Sequence, residues 1–119
     1  MIPYDPVKHS GKVVIYLWAK WCHPCTKQRP ILERCEKHLK GVTFMSHDCS
    51  TLSLSIVIGK HRLDSMTLPS IYIFNDCELM SFRRPDGKCR DYITGLHTSV
   101  RDIVKIIKNI YKQNGVKIE

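Results

Sequence analysis

An unbroken apolar run at 13–18, Val-Val-Ile-Tyr-Leu-Trp, leads through Ala19-Lys20 into Trp21-Cys22-His23-Pro24-Cys25. Such a run reads as a strand buried on both faces. The segment 26–39 that follows has helical spacing, with Ile31, Leu32, Cys35 and Leu39 on one face. The two cysteines therefore lie at a strand-to-helix junction, where unpaired N–H groups and the positive end of the helix dipole favour a thiolate over a thiol. The second thiol, one turn along, is near enough to close a disulfide with the first. This chemistry points to thiol–disulfide exchange.

At 119 residues, 43% apolar and 25% charged, the chain is expected to form a single domain spanning 1–119. It is long enough to bury roughly 65% of its unfolded surface without covalent staples. Residues 1–12 have no apolar leader and no run approaches membrane-span length, so a cytoplasmic protein is expected. Six cysteines in such a chain fit redox chemistry in a reducing compartment better than a secreted disulfide scaffold. The net charge of +8 suits an acidic client or nucleic acid. The basic residues are spread along the chain without interleaved aromatics, which disfavours nucleic acid as a partner.

Asp5-Pro6 reads as an N-cap and first helical position for a turn or two. Pro30 is expected to bend the helix after the cysteines, and Gly41 to stop it. Strands are predicted over 42–47 and 70–74, and a weaker helix over 54–61. The stretch 75–92 is predicted as two strands, 79–83 and 89–93, around the turn Arg84-Pro85-Asp86-Gly87. Thr98 is expected to cap a last helix with Ile103, Ile106, Ile107, Ile110 and Tyr111 on its apolar stripe. Strands alternating with helices imply an α/β layered domain.

The segment Trp18-Ala19-Lys20-Trp21-Cys22-His23-Pro24-Cys25-Thr26-Lys27 resembles the active-site segment of the thioredoxin family. Pro30 sits where that family's helix is kinked, and Leu68-Pro69-Ser70-Ile71-Tyr72-Ile73-Phe74 is similar to its cis-proline loop and central strand. Tyr92-Ile93-Thr94-Gly95 resembles the entry to its last helix, so the likeness covers roughly residues 13–112. The resemblance implies a thioredoxin-like α/β fold, a central mixed β-sheet flanked by helices, with the N-terminal strand and helix shortened. It also implies reduction or exchange of disulfides in client proteins, with electrons from a thioredoxin reductase or from glutathione and no cofactor or metal held by the chain. Cys22 is expected to be the exposed nucleophile and Cys25 the more buried resolving thiol, forming the redox-active disulfide. Trp21, His23 and Pro24 are supporting residues, and by the likeness Leu68 and Pro69 bind the extended client. One departure stands out: the family's buried carboxylate falls at Tyr16.

Other readings of the same residues compete. Cys22, Cys25, Cys35 and His38 have zinc-like spacing, but a continuous helix puts Cys35 about 15 Å along the axis from Cys25. Cys35 is better read as a helix face residue, Cys49 as a loop thiol, and Cys77 and Cys89 as a pair that a hairpin could bring together. His9, His38, His47, His61 and His97 are read as surface residues. The functional alternatives are a dedicated redox relay or oxidase partner, which His23 and the missing carboxylate suit, and a non-catalytic binding subunit.

Overall fold

The strand-forming run at 13–18 lies inside β2 (Lys12–Trp18), at the centre of the main sheet of the computed structural model. The structure describes residues 1–50, 55–58, 60–64 and 67–119. In chain order the elements are β1 (Ile2–Pro3), a 3-10 helix (Pro6–Lys8), β2, α1 (His23–Glu36), β3 (Val42–Asp48), β4 (Ser55–Ile58) and β5 (His61–Asp64). They continue with β6 (Ser70–Asn75), β7 (Glu78–Leu79), β8 (Phe82–Arg83), β9 (Cys89–Arg90), β10 (Ile93–Thr94) and α2 (Val100–Gln113). The main sheet runs β1-β3-β2-β6-β10, with β7 also paired to β6. Its β1, β3 and β2 are mutually parallel, and β6 is antiparallel to β2, β7 and β10. This is the mixed central sheet with a shortened N-terminal section: two residues of β1 and three of a 3-10 helix, capped by Asp5, whose carboxylate accepts from Val7 N.

Alternation along β2 divides the core between the two faces of the sheet. Val14 and Tyr16 pack with Leu32 and Cys35 of α1 and with Ile103, Ile107 and Tyr111 of α2. Val13, Ile15 and Leu17 pack on the opposite face with Met45, Tyr72 and Phe74, beneath Ile58 and Leu63 of the β4–β5 hairpin. The helix predicted over 54–61 is thus replaced by β4 and the start of β5; residues 54 and 59 lie outside the described ones. Ser-Ile-Val-Ile is a β-branched run too short to show a helical period, and an antiparallel partner begins three residues on.

Other boundaries shift in instructive ways. α1 begins at His23, three residues before the predicted start, and ends at Glu36, with Lys37 as C-cap; Gly41 (φ +78°) instead turns the chain into β3. Ser99 rather than Thr98 caps α2, accepting from Asp102 N at 3.2 Å. The predicted strands 79–83 and 89–93 are each broken. Their outer ends, β7 and β10, pair with opposite ends of β6, while β8 and β9 fold out as a separate hairpin. Gln113 anchors that hairpin to α2, its amide accepting from Arg83 N at 2.8 Å and donating to Arg83 O at 3.2 Å.

Candidate functional site

The sheet delivers Trp18 and buried Ala19 to a turn that ends at Cys22, the N-cap residue of α1 (φ −89°, ψ 98°). His23 and Pro24 form the first helical positions and Cys25 the third. A capping side chain accepts from the second or third helical N–H. Pro24 has no N–H, so Cys25 N–H is the donor within a capping atom's reach, and it now bonds the Cys22 carbonyl at 3.1 Å. The first turn contains no acidic side chain to oppose a negative charge at the helix entry. Cys22 and Cys25 are joined in a disulfide, with their Cα atoms 5.3 Å apart.

The expectation that Cys22 is exposed is corrected by the structure: Cys22 is 4% exposed and Cys25 2%. With the Cys22–Cys25 bond closed, both residues belong to the helix-side core, against which Trp18 and Leu68 also pack. The apolar part of the rim that does face water is Trp21, 64% exposed, beside exposed His23 and Pro24. The Leu68–Pro69 peptide bond is cis, and Pro69 is buried at the entrance to β6. Gly95, at φ +84° where glycine carries no steric penalty, donates its N–H to the Pro69 carbonyl at 3.1 Å. Leu68 and Pro69 thereby share one end of the molecule with the cysteine pair, at the C-terminal end of β2 next to Ser70.

Tyr16, where the resemblance puts a carboxylate, is fully buried beneath α1 and donates its hydroxyl to the Cys25 carbonyl at 2.7 Å. Burial pushes its phenol up to about 12, only partly opposed by the Arg29 guanidinium, which lies over the Tyr16 ring at 5.7 Å and the Trp18 ring at 4.9 Å. Near neutrality Tyr16 is therefore a hydrogen-bond donor that holds the first turn of α1, not a base. Asp48 is engaged elsewhere: it accepts from Ser50 N at 2.8 Å, and its hydrogen bonds to Ser50 hold its carboxyl below the usual range.

Sequence reasoning missed Gln28. It lies on the apolar stripe between Cys25 and Leu32 and is fully buried. Its amide clamps the backbone of His97, accepting from His97 N at 2.8 Å and donating to His97 O at 3.0 Å. A polar residue in phase with an apolar stripe was the available signal. Gln28→Ala, which leaves both backbone groups unpaired, is expected to cost about 2–3 kcal/mol in urea unfolding, by the usual penalty for stranded polar groups.

The remaining cysteines are free and dispersed. Cys35 is buried with its thiol pushed up to about 11 by burial, while His38 is exposed beyond the helix end, so the zinc-like quartet is not assembled. Cys49 lies in the loop after β3 but is buried under the second face. Cys77 is not paired with Cys89: it occupies the β6–β7 turn with Asp76, both at positive φ, and its Sγ lies 2.8 Å from the His9 carbonyl. His9 is likewise not a surface residue. It is 4% exposed, edge-on to Phe74 at 4.8 Å, because the turn at 76–77 closes over it. Among the described residues no cluster of side chains could hold a metal ion, and no helix is long and apolar enough to cross a membrane.

The thioredoxin family model matches residues 5–93, most of the chain. No curated protein sequence matches it. Among solved structures, oxidised thioredoxin O2 from Arabidopsis thaliana is 24% identical, covering 86% of this chain and 76% of its own, with a TM-score of 0.58. Oxidised mitochondrial thioredoxin 3 from Saccharomyces cerevisiae is 20% identical over 87% and 82%, with a TM-score of 0.54. Thioredoxin f2 from Chlamydomonas reinhardtii is 13% identical over 92% and 94%, with a TM-score of 0.59.

Proposed function

The chain belongs to the thioredoxin family, and from that premise we propose that it reduces disulfides in client proteins through Cys22 and Cys25. The observation that carries this reading is the disulfide-bonded pair at the entry of α1, with Cys22 as the cap residue. In the reduced protein the Cys22 thiolate attacks a client sulfur. A mixed disulfide forms, and the other client sulfur leaves as a thiolate. The Cys25 thiolate then attacks Cys22 Sγ, closing the Cys22–Cys25 bond and expelling the second client thiolate. Two electrons pass from the pair to the client, and a thioredoxin reductase or glutathione returns them.

Supporting roles follow from position. His23 and Pro24 lie between the sulfurs and tune their potential, while Trp21 supplies an exposed apolar contact for the client. Leu68 and Pro69 receive the client's backbone in extended form. The free thiols of exposed Cys77 and Cys89 favour a reducing compartment such as the cytoplasm.

The test is the rate of Cys22 alkylation against pH in the reduced protein. Half-maximal rate is expected below the value of about 8.5 for unstructured cysteine. A rate no faster at neutrality than that of an unfolded cysteine overturns the reading. A second reading, a relay that passes oxidation to one client, is favoured by Tyr16 standing where a base would speed Cys25. The pair's potential separates them: near about −270 mV supports the reductase, and above about −200 mV the relay.

A further inference from the structure

We propose that the cleft between the β8–β9 hairpin and α2 is a docking site for an acidic segment of the client protein, with an apolar side chain of that segment seated on its floor. This deepens the oxidoreductase reading and rests on it. The cleft has a volume of about 550 Å³, within the range that takes up one or two side chains or a small ligand. Ile93, Ile106 and Ile110 line it from β10 and α2, and Phe82 and Tyr92 line it from the excursion that splits the edge strand. Its cationic lining is Arg83, Arg84 and Arg90, all exposed. Arg84 reaches Asp86 at 3.7 Å, whereas the guanidinium groups of Arg83 and Arg90 have no ion-pair partner among the described residues. Exposed Asp86 and Asp91 are the only acidic side chains between β7 and β10.

The positive field continues beyond the cleft. Ile106 and Asn109 also border the outer surface of α2, which presents Arg101, Lys105, Lys108 and Lys112 against the single acid Asp102. The four α2 cations share one face by helical spacing, and the hairpin's return to α2 through Gln113 sets Arg83, Arg84 and Arg90 against that helix. An anionic partner is therefore matched in charge, and the isoleucine floor calls for an apolar anchor between its acids. A polypeptide meets both demands. A nucleic-acid strand would need a series of aromatic faces for its bases, and Tyr92, 37% exposed and packed at 5.5 Å on Tyr72, is the one exposed aromatic here.

The cleft is also placed to serve the cysteine pair. Thr94 lines it and pairs with Ser70; the next residue, Gly95, holds the Pro69 carbonyl. His97, also on the lining, is clamped to α1 by Gln28, one turn from Cys25. A segment bound here would enter from the side of β6 opposite β2 and present its disulfide towards Leu68 and Pro69.

Two measurements on the full chain test the proposal. In the first, a labelled, cysteine-free peptide of alternating Glu and Leu is titrated by fluorescence anisotropy, beside the same peptide with Lys for Glu and an oligothymidylate of equal charge. The acidic peptide is expected to bind at least about tenfold more tightly than the lysine peptide, and R83E/R84E/R90E to abolish the difference. Equal binding of the two peptides, or an unaltered preference in the triple variant, overturns the proposal. Tighter binding of the oligothymidylate also overturns it and assigns the cleft to nucleic acid. In the second, kcat/KM is compared for disulfide peptides with acidic and neutral flanks. A preference of about tenfold for the acidic one, lost in the triple variant with the neutral rate unchanged, supports docking. If neither disulfide peptide is reduced, the oxidoreductase reading falls, and the cysteine-free titration decides the cleft alone.

Discussion

A Cys25→Ser variant is expected to accumulate covalent adducts with client proteins, and a Cys22→Ser variant to accumulate none while losing disulfide reduction by about three orders of magnitude or more. The asymmetry comes from the ends of one short segment. Cys22 is the cap residue, with extended rather than helical φ and ψ, where its sulfur can meet a thiol-reactive partner once the disulfide is opened. Cys25 is inside the first turn, with its carbonyl fixed by Tyr16; both cysteines are buried in the oxidised form, so position in the helix and not exposure separates them. A serine at 25 cannot attack the mixed disulfide at Cys22, so the first step is made and the second is blocked. Non-reducing electrophoresis followed by mass spectrometry of the trapped sulfur checks this. Equal trapping by both variants would show that the roles are not divided between them, and full activity in both would favour the binding-subunit alternative.

Tyr16→Ala is expected to destabilise the oxidised protein by about 3–5 kcal/mol, and Tyr16→Phe by only about 1 kcal/mol, in urea unfolding. Truncation to alanine empties one of the largest fully buried positions, beneath α1, whereas phenylalanine loses only the bond to the Cys25 carbonyl. Tyr16→Asp, which would restore the family's carboxylate, falls with the alanine variant, since it adds a buried acid to the same cavity. If Tyr16→Phe costs as much as Tyr16→Ala, the hydroxyl and not the ring holds the turn. An aspartate variant as stable as the native protein would mean that the site admits water.

The β2–α1 junction, the strand at β6 and the apolar stripe of α2 each carry a long, consistent local signal, and each formed where that signal lay. The segment 54–61 has no such length, and within it 55–58 took the strand conformation that pairing with β5 set. The stretch 75–92 contains strand-forming residues throughout, but β6 offers one edge, which β7 and β10 divide between them. His9 and Cys49 are short of local pattern, and what buries them is chain arriving from elsewhere: the turn at 76–77 and the face beneath β4–β5.

The order of residues settled the local chemistry: two sulfurs one turn apart at a helix entry, a proline that removes one capping donor, and apolar periods that make strand and helix. Those depend on neighbours a few positions away, so the chain carries them without folding. Folding alone decided that Cys22 packs into the helix-side core, that the Tyr16 hydroxyl meets the Cys25 carbonyl, that Gln28 ties α1 to the approach of α2, and that the hairpin arginines Arg83, Arg84 and Arg90 line a cleft against α2. The Gln28 clamp on His97 and the cleft against α2 depend on contacts between segments far apart in sequence; burial, which sets both the Tyr16 hydroxyl and the Cys35 thiol, exists only once the sheet and helices meet.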